Sequence, residues 1–157
     1  MPTSALTLER VVCATDLSEF GNRAVDLAFA AAEDGGSVTL VHVVHEPPVP
    51  SPLVPHYGEP RPSAAELAKQ QSKAADRLTA LGESAARGRK VRFEVRTHRA
   101  AKVAEAVLAE AERVDADLIV LVTRSRSGLA KFVLGSAAHD VLYDAGRPVL
   151  LVPPEDR

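Results

Sequence analysis

The sequence predicts an α/β fold: a single-domain, doubly wound sheet of five parallel strands in the order 3-2-1-4-5, with helices on both faces. Short apolar runs alternate with longer stretches of helical period along the whole chain. The runs at 11–14, 38–44 and 118–122 are apolar on both faces, apart from Thr39 and His42, as strands buried inside a parallel sheet are. By contrast, Val-Arg-Phe-Glu-Val-Arg at 91–96 alternates apolar with charged residues, which suits a sheet edge. In this order the topological switch lies between strands 1 and 4, and ligands bind at the carboxyl ends of such strands. Those ends are Ala14-Thr15-Asp16 and Val122-Thr123-Arg124.

Each element has its own signal. Strand 1, at 11–14, is followed by a helix over 18–32 with Ala24, Leu27, Ala28 and Ala31 on one face. Gly35-Gly36 is expected to end that helix and turn the chain into strand 2. Residues 46–62 carry seven prolines and form an irregular segment. Ser63, with Glu66 three residues on, is a capping box opening a helix that reaches about residue 87. Strand 3 follows at 91–96, then a helix over 102–113, strand 4 at 118–122, a helix from about 136 to 146, and strand 5 at 148–152.

Composition narrows the function classes. The chain has 157 residues, 46% hydrophobic and 25% charged, which is one domain with a substantial core. A net charge of −2 gives no global field favouring nucleic acid or an anionic membrane. The basic run 87–92 lacks interleaved aromatics for base stacking and reads as a solvated turn. Cys13 is the single cysteine, so no internal disulfide can form, which fits a reducing cytosol. No run resembles a signal peptide or reaches transmembrane length. The expectation is a cytoplasmic protein without a membrane or nucleic-acid partner.

Residues 122–136 carry the most chemistry. Strand 4 runs into a polar loop with Arg124, Arg126 and Lys131, and the loop ends at Gly135-Ser136, where a helix begins. A helix start leaves backbone N–H groups unpaired and carries partial positive charge, so this place suits a phosphate-bearing ligand. No Gly-x-Gly-x-x-Gly follows strand 1, which argues against a dinucleotide oxidoreductase. His42 and His45 lie three apart on a strand, on opposite faces, so a metal site is not expected. Ser136, His139 and Asp140 match a catalytic set only in composition, because Asp140 points elsewhere on the helix than its neighbour His139.

The stretch also resembles the nucleotide loop of the universal stress protein family, Gly-x2-Gly-x9-Gly-Ser/Thr. Its four positions fall on Val122, Ser125, Gly135 and Ser136, of which the last two match. The resemblance extends to 14–18 at the end of strand 1, to Val41-His42-Val43, to 104–107 and 116–120, to 134–138 and to 147–152. It implies a Rossmann-like, adenine nucleotide alpha-hydrolase-like fold. It also implies a cleft in which Asp16, at the end of Ala14-Thr15-Asp16, and Val43 hold adenosine. The 122–136 loop, with Val122, Arg124, Ser125 and Gly128, and the helix start Gly135, Ser136 and Ala137 would wrap ribose and phosphates.

Val122 and Ser125 stand where the family pattern has glycine. Valine resists positive φ and adds bulk, while serine keeps a small hydroxyl. Residues 101–103 also depart from a Gly-Asp-Pro-like turn found in many members. The expectation is therefore a stress-response binding or regulatory module with a degenerate adenine-nucleotide cleft, its ATP binding weak or lost. AMP is the other adenine ligand considered, and Mg enters only if ATP binds. The alternative is an ATP-binding member with slow ATPase activity. No general base or magnesium carboxylate stands beside the loop, and no catalytic residue is assigned. Asp16 reads as an adenosine contact or as a helix cap. A homodimer is expected through the apolar edge strand at 149–152.

Overall fold

A computed structural model describes residues 6–53, 60–123 and 135–153. The elements are β1 (Arg10–Ala14), α1 (Glu19–Ala31), β2 (Ser37–His45), α2 (Ala64–Ala86), β3 (Arg92–Ala100), α3 (Val103–Arg113), β4 (Leu118–Val122), α4 (Ser136–Asp144) and β5 (Val149–Val152). The five strands form one parallel sheet in the order β3-β2-β1-β4-β5, as the burial pattern of the sequence predicts.

Strand alternation sorts the core into two layers. Val11, Cys13, Leu40, Val120 and Val152 face α1 and α2, where they meet Ala24, Ala28, Phe29 and Leu78. Val12, Val41, Ile119 and Leu121 face α3 and α4, against Ala104, Val107, Ala138 and Val141. Burial pushes the Cys13 thiol up to about 12, so it stays a protonated, inert thiol. The edge of the first layer is closed by Phe29 and Phe93, whose rings meet edge-to-face at 5.9 Å.

Caps and turns fix the ends. Ser63 and Glu66 make the predicted capping box, with Ser63 N–H donating to Glu66 Oε2 at 2.6 Å and Glu66 N–H to Ser63 Oγ at 3.2 Å. These bonds, the backbone one first, hold the Glu66 carboxyl below its usual value. The end of α1 differs from expectation. It stops at Ala31, and Gly35 (φ +88°) instead supplies the left-handed turn between helix and β2. Gly146 (φ +57°) comes two residues after α4, which ends at Asp144 rather than at the glycine.

Strand β3 runs to Ala100, four residues past the predicted end. The extension has no clean apolar alternation; it is held by pairing with β2 up to His45↔Ala100. At the amino end of the sheet, Asp117 accepts from the N–H groups of Glu9 and Arg10 at 3.0 and 2.8 Å, which ties β1 to β4. The opposite, carboxyl end carries the cleft.

Candidate functional site

The first wall of the cleft is the turn between β1 and α1. Thr15 N–H donates to Val41 O at 3.0 Å, extending the ladder to β2 by one bond. His42 Nδ1 lies 2.9 Å from Thr15 O; the carbonyl can only accept, so this bond requires the proton on Nδ1. The buried Thr15 hydroxyl oxygen accepts from Leu17 N–H at 3.0 Å. Asp16 Oδ1 accepts from Ser18 N–H at 3.0 Å and from the Ser18 hydroxyl at 2.5 Å. Ser18 Oγ in turn accepts from Gly21 N–H at 3.1 Å and caps α1. Asp16 thus orients the cap, and Ser18 is the cap itself.

Gly21 is what lets this turn sit on its helix. A Cβ there would fall 2.3 Å from Thr15 Oγ1 and 2.8 Å from Asp16 Oδ1, both too close for real atoms. Leu17 adopts φ +62° although it is not glycine, and its side chain is buried at 7% exposure. A left-handed leucine is uncommon and persists only where its surroundings fix it.

The second wall comes from β4 and α4. Val122 pairs with Val152 as the last residue of β4, and Thr123 N–H donates to Val152 O at 3.0 Å. Among described residues, Leu17 and Asp115 are the non-glycine positions with positive φ, so Val122 is extended. Its side chain packs in part against the α1/α2 core layer and also lines the cleft, so it contributes bulk to the wall, and φ restriction plays no part there. Helix α4 starts at Ser136 behind Gly135, which has no side chain to bond the first-turn N–H groups. Helix α3 also starts without a side-chain cap, at Lys102.

Between these walls is a cleft of about 720 Å³, a size that suits a small-molecule ligand. Ala14, Thr15, Asp16, Val43, Val122, Gly135, Ser136 and Ala137 all line it. Arg124, Ser125 and Gly128 lie outside the described residues. The structure adds wall residues that sequence reasoning did not assign: Phe20, His42, His45, Val103 and Val107. Phe20 is 45% exposed at the rim of the cleft, and one phenylalanine in a helical run gives no advance signal of that place. Among described lining residues, Asp16 is the carboxylate, and the α4 start supplies positive potential across from it.

Behind the cleft, Glu110 of α3 is buried at 3% exposure beneath β3. Its Oε1 lies 3.3 Å from Arg96 Nε, and its Oε2 2.6 Å from Arg113 Nε. Arg113 also pairs with Glu94, which accepts from the Thr39 hydroxyl at 3.1 Å. His98 Nε2 is 2.8 Å from Glu110 Oε1 but off the line of a hydrogen bond. Burial alone would raise the Glu110 carboxyl, yet Arg113 and then Arg96 hold it below its usual value. Among described residues, no three His, Cys, Asp or Glu side chains converge on a possible metal position. His139 Nδ1 and Asp140 Oδ1 approach to 3.4 Å at the exposed surface, contrary to the expectation that Asp140 points away. None of the described hydrogen bonds links Ser136 to this pair. No helix among the described residues is long and apolar enough to cross a membrane.

The profile of the Universal stress protein family matches residues 7–153. A universal stress protein from Mycolicibacterium smegmatis is 36% identical over 64 residues, 41% of this chain. That match spans 49%, about half, of the relative's length. A family protein from Burkholderia pseudomallei superposes with a TM-score of 0.66 at 22% identity, covering 95% of this chain and 98% of that one. A universal stress protein from Archaeoglobus fulgidus, solved in complex with dAMP, superposes at 0.55 and 23% identity, covering 93% and 98%. At these identities the two structures establish a shared fold. With the profile spanning nearly the whole chain, the protein belongs to the universal stress protein family.

Proposed function

We propose that this chain is a single-domain binding or regulatory module, acting in the cytoplasm, whose cleft takes adenine nucleotide with weak or no affinity for ATP. The observation that carries the reading is the make-up of the two walls. Asp16 and Val43 line the cleft where the resemblance puts adenosine, and Gly135, Ser136 and Ala137 at the α4 start, which has no side-chain cap from Gly135, line it where the resemblance puts phosphate; Val122 adds bulk to the wall. The Archaeoglobus relative solved with dAMP supports an adenine ligand for a cleft of this fold. Arg124, Ser125 and Gly128 complete the proposed phosphate loop by resemblance, and Mg would accompany ATP only.

A binding role is favoured over hydrolysis by Asp16. It is the one carboxylate among the described lining residues, and its Oδ1 is engaged by Ser18, so no second carboxylate among them stands ready to hold magnesium beside the phosphate position. The protein would act as a homodimer through β5. That strand pairs with β4 alone among described residues, and its Leu150 is 38% exposed. Isothermal titration with ATP and with AMP, each with magnesium, tests the reading. A low-micromolar dissociation constant for ATP would overturn the weak-binding part, and hydrolysis above background would favour a slow ATPase.

A further inference from the structure

We propose that Arg77, on the distant helix α2, is a positioning residue for the cleft: it holds the strained turn that carries Asp16. This rests on the adenine-nucleotide reading of the cleft given above. The guanidinium of Arg77 donates to Leu17 O at 2.6 Å across 60 residues of sequence. Leu17 is the left-handed leucine of the turn, at φ +62°. Its N–H is taken by Thr15 Oγ1, its side chain is buried, and its carbonyl is taken by Arg77.

The three restraints differ in origin. The Thr15 bond lies within the turn, and the buried side chain anchors the turn to the core. Of these three, the Arg77 bond is the one that ties the turn to another helix through a charged donor, and charge-assisted bonds are the stronger kind. Without it, the Leu17–Ser18 peptide regains freedom to leave a conformation that leucine disfavours. Ser18 N–H and its hydroxyl both bind Asp16 Oδ1, so a swing of this peptide weakens two bonds that orient the Asp16 carboxylate. The ligand contact is made by Asp16; Arg77 acts through Leu17 and Ser18.

Two amides report the turn directly. Leu17 N–H and Ser18 N–H are each hydrogen-bonded within it, both at 3.0 Å, so native-state hydrogen exchange reads their protection. The full chain is compared as wild type, Arg77→Lys and Arg77→Met, by amide exchange and by AMP titration followed through amide shifts at millimolar ligand. Protection at Leu17 and Ser18 is expected to fall in the order wild type, Lys, Met, by about tenfold in the methionine variant. AMP affinity falls in the same order and by a similar factor, while Val12 and Cys13 in β1 keep their protection.

Unchanged exchange at Leu17 and Ser18, or an equal loss across β1 and the turn, overturns the proposal. Should Arg77→Met fail to fold, Arg77→Lys carries the test: a selective loss of at least twofold supports it, and wild-type behaviour overturns it. If AMP leaves the wild type unshifted while the exchange pattern changes as stated, the nucleotide reading fails and the positioning of the turn stands. If AMP binds and all three proteins behave alike, the positioning fails and the nucleotide reading stands.

Discussion

Replacing Gly21 with alanine sets two effects of opposite sign against each other. Helix propensity alone favours the change, because alanine inside a helix is about 1 kcal/mol better than glycine. The structure opposes it. The new Cβ would stand 2.3 Å from Thr15 Oγ1, more than an ångström inside ordinary contact, and 2.8 Å from Asp16 Oδ1. Neither neighbour can swing aside at no cost. The Thr15 hydroxyl is buried and accepts the Leu17 N–H, and Asp16 Oδ1 accepts two bonds from Ser18. Forcing extra bulk into such a place costs about 1–3 kcal/mol, and each turn bond given up costs about 1 kcal/mol more. The steric term therefore wins, and Gly21→Ala, with one turn bond given up, is expected to destabilise by about 1–3 kcal/mol net of the propensity gain. Chemical denaturation with an unchanged m-value measures it. A variant as stable as the wild type, or more so, would refute the reasoning.

Three further changes probe other parts of the account. Glu110→Gln removes the carboxylate shared by Arg113 and Arg96. It should cost about 1–2 kcal/mol at neutral pH, toward the low end because both arginines are about 40% exposed. The folded carboxyl sits below its ordinary value of 4.5, so its contribution is present above that pH and lost as pH falls through the lower folded value. The gap between wild type and variant in thermal melts should thus close in acid, and a gap that widens there contradicts the assignment. The carbonyls of Pro148, just before β5, and of Val152 at its end accept from Ile119 and Thr123, so by alternation Val149 and Leu151 turn their backbone groups to the open edge. Leu151→Pro should therefore convert a dimer to monomer in light scattering, and a wild type that is monomeric at every concentration removes the dimer altogether. Val122→Gly with Ser125→Gly should tighten ATP binding measurably in a folded protein, and Asp16→Ala should weaken it again. No gain from the glycine pair means that bulk at Val122 does not limit the site.

The sheet order was legible because burial writes itself into residue type. Val11 to Ala14 and Leu118 to Val122 are apolar on both faces, while 91–96 alternates, and these patterns separate interior from edge. The end of β3 was not legible, because Thr97, His98, Arg99 and Ala100 lack that alternation and are strand only through pairing with β2. The helix start at Ser136 was readable from Gly135-Ser136, and the place of Asp16 from the end of β1. Leu17 was not readable: leucine carries no left-handed signal, and the restraints on it come from Thr15, the core and a helix 60 residues away. The burial of Glu110 was hidden for a related reason: Arg113 lies one turn on along α3, but Arg96 and the covering strand β3 are brought to it only by the fold.

The central claim is that the family cleft is present but poorly suited to triphosphate. The most direct measurement is a calorimetric titration of the wild-type chain with magnesium ATP. A dissociation constant well above the low-micromolar range, or no measurable heat of binding, is expected. Saturable binding at low-micromolar concentration would contradict it, because the bulk of Val122 would then stand in the cleft without consequence.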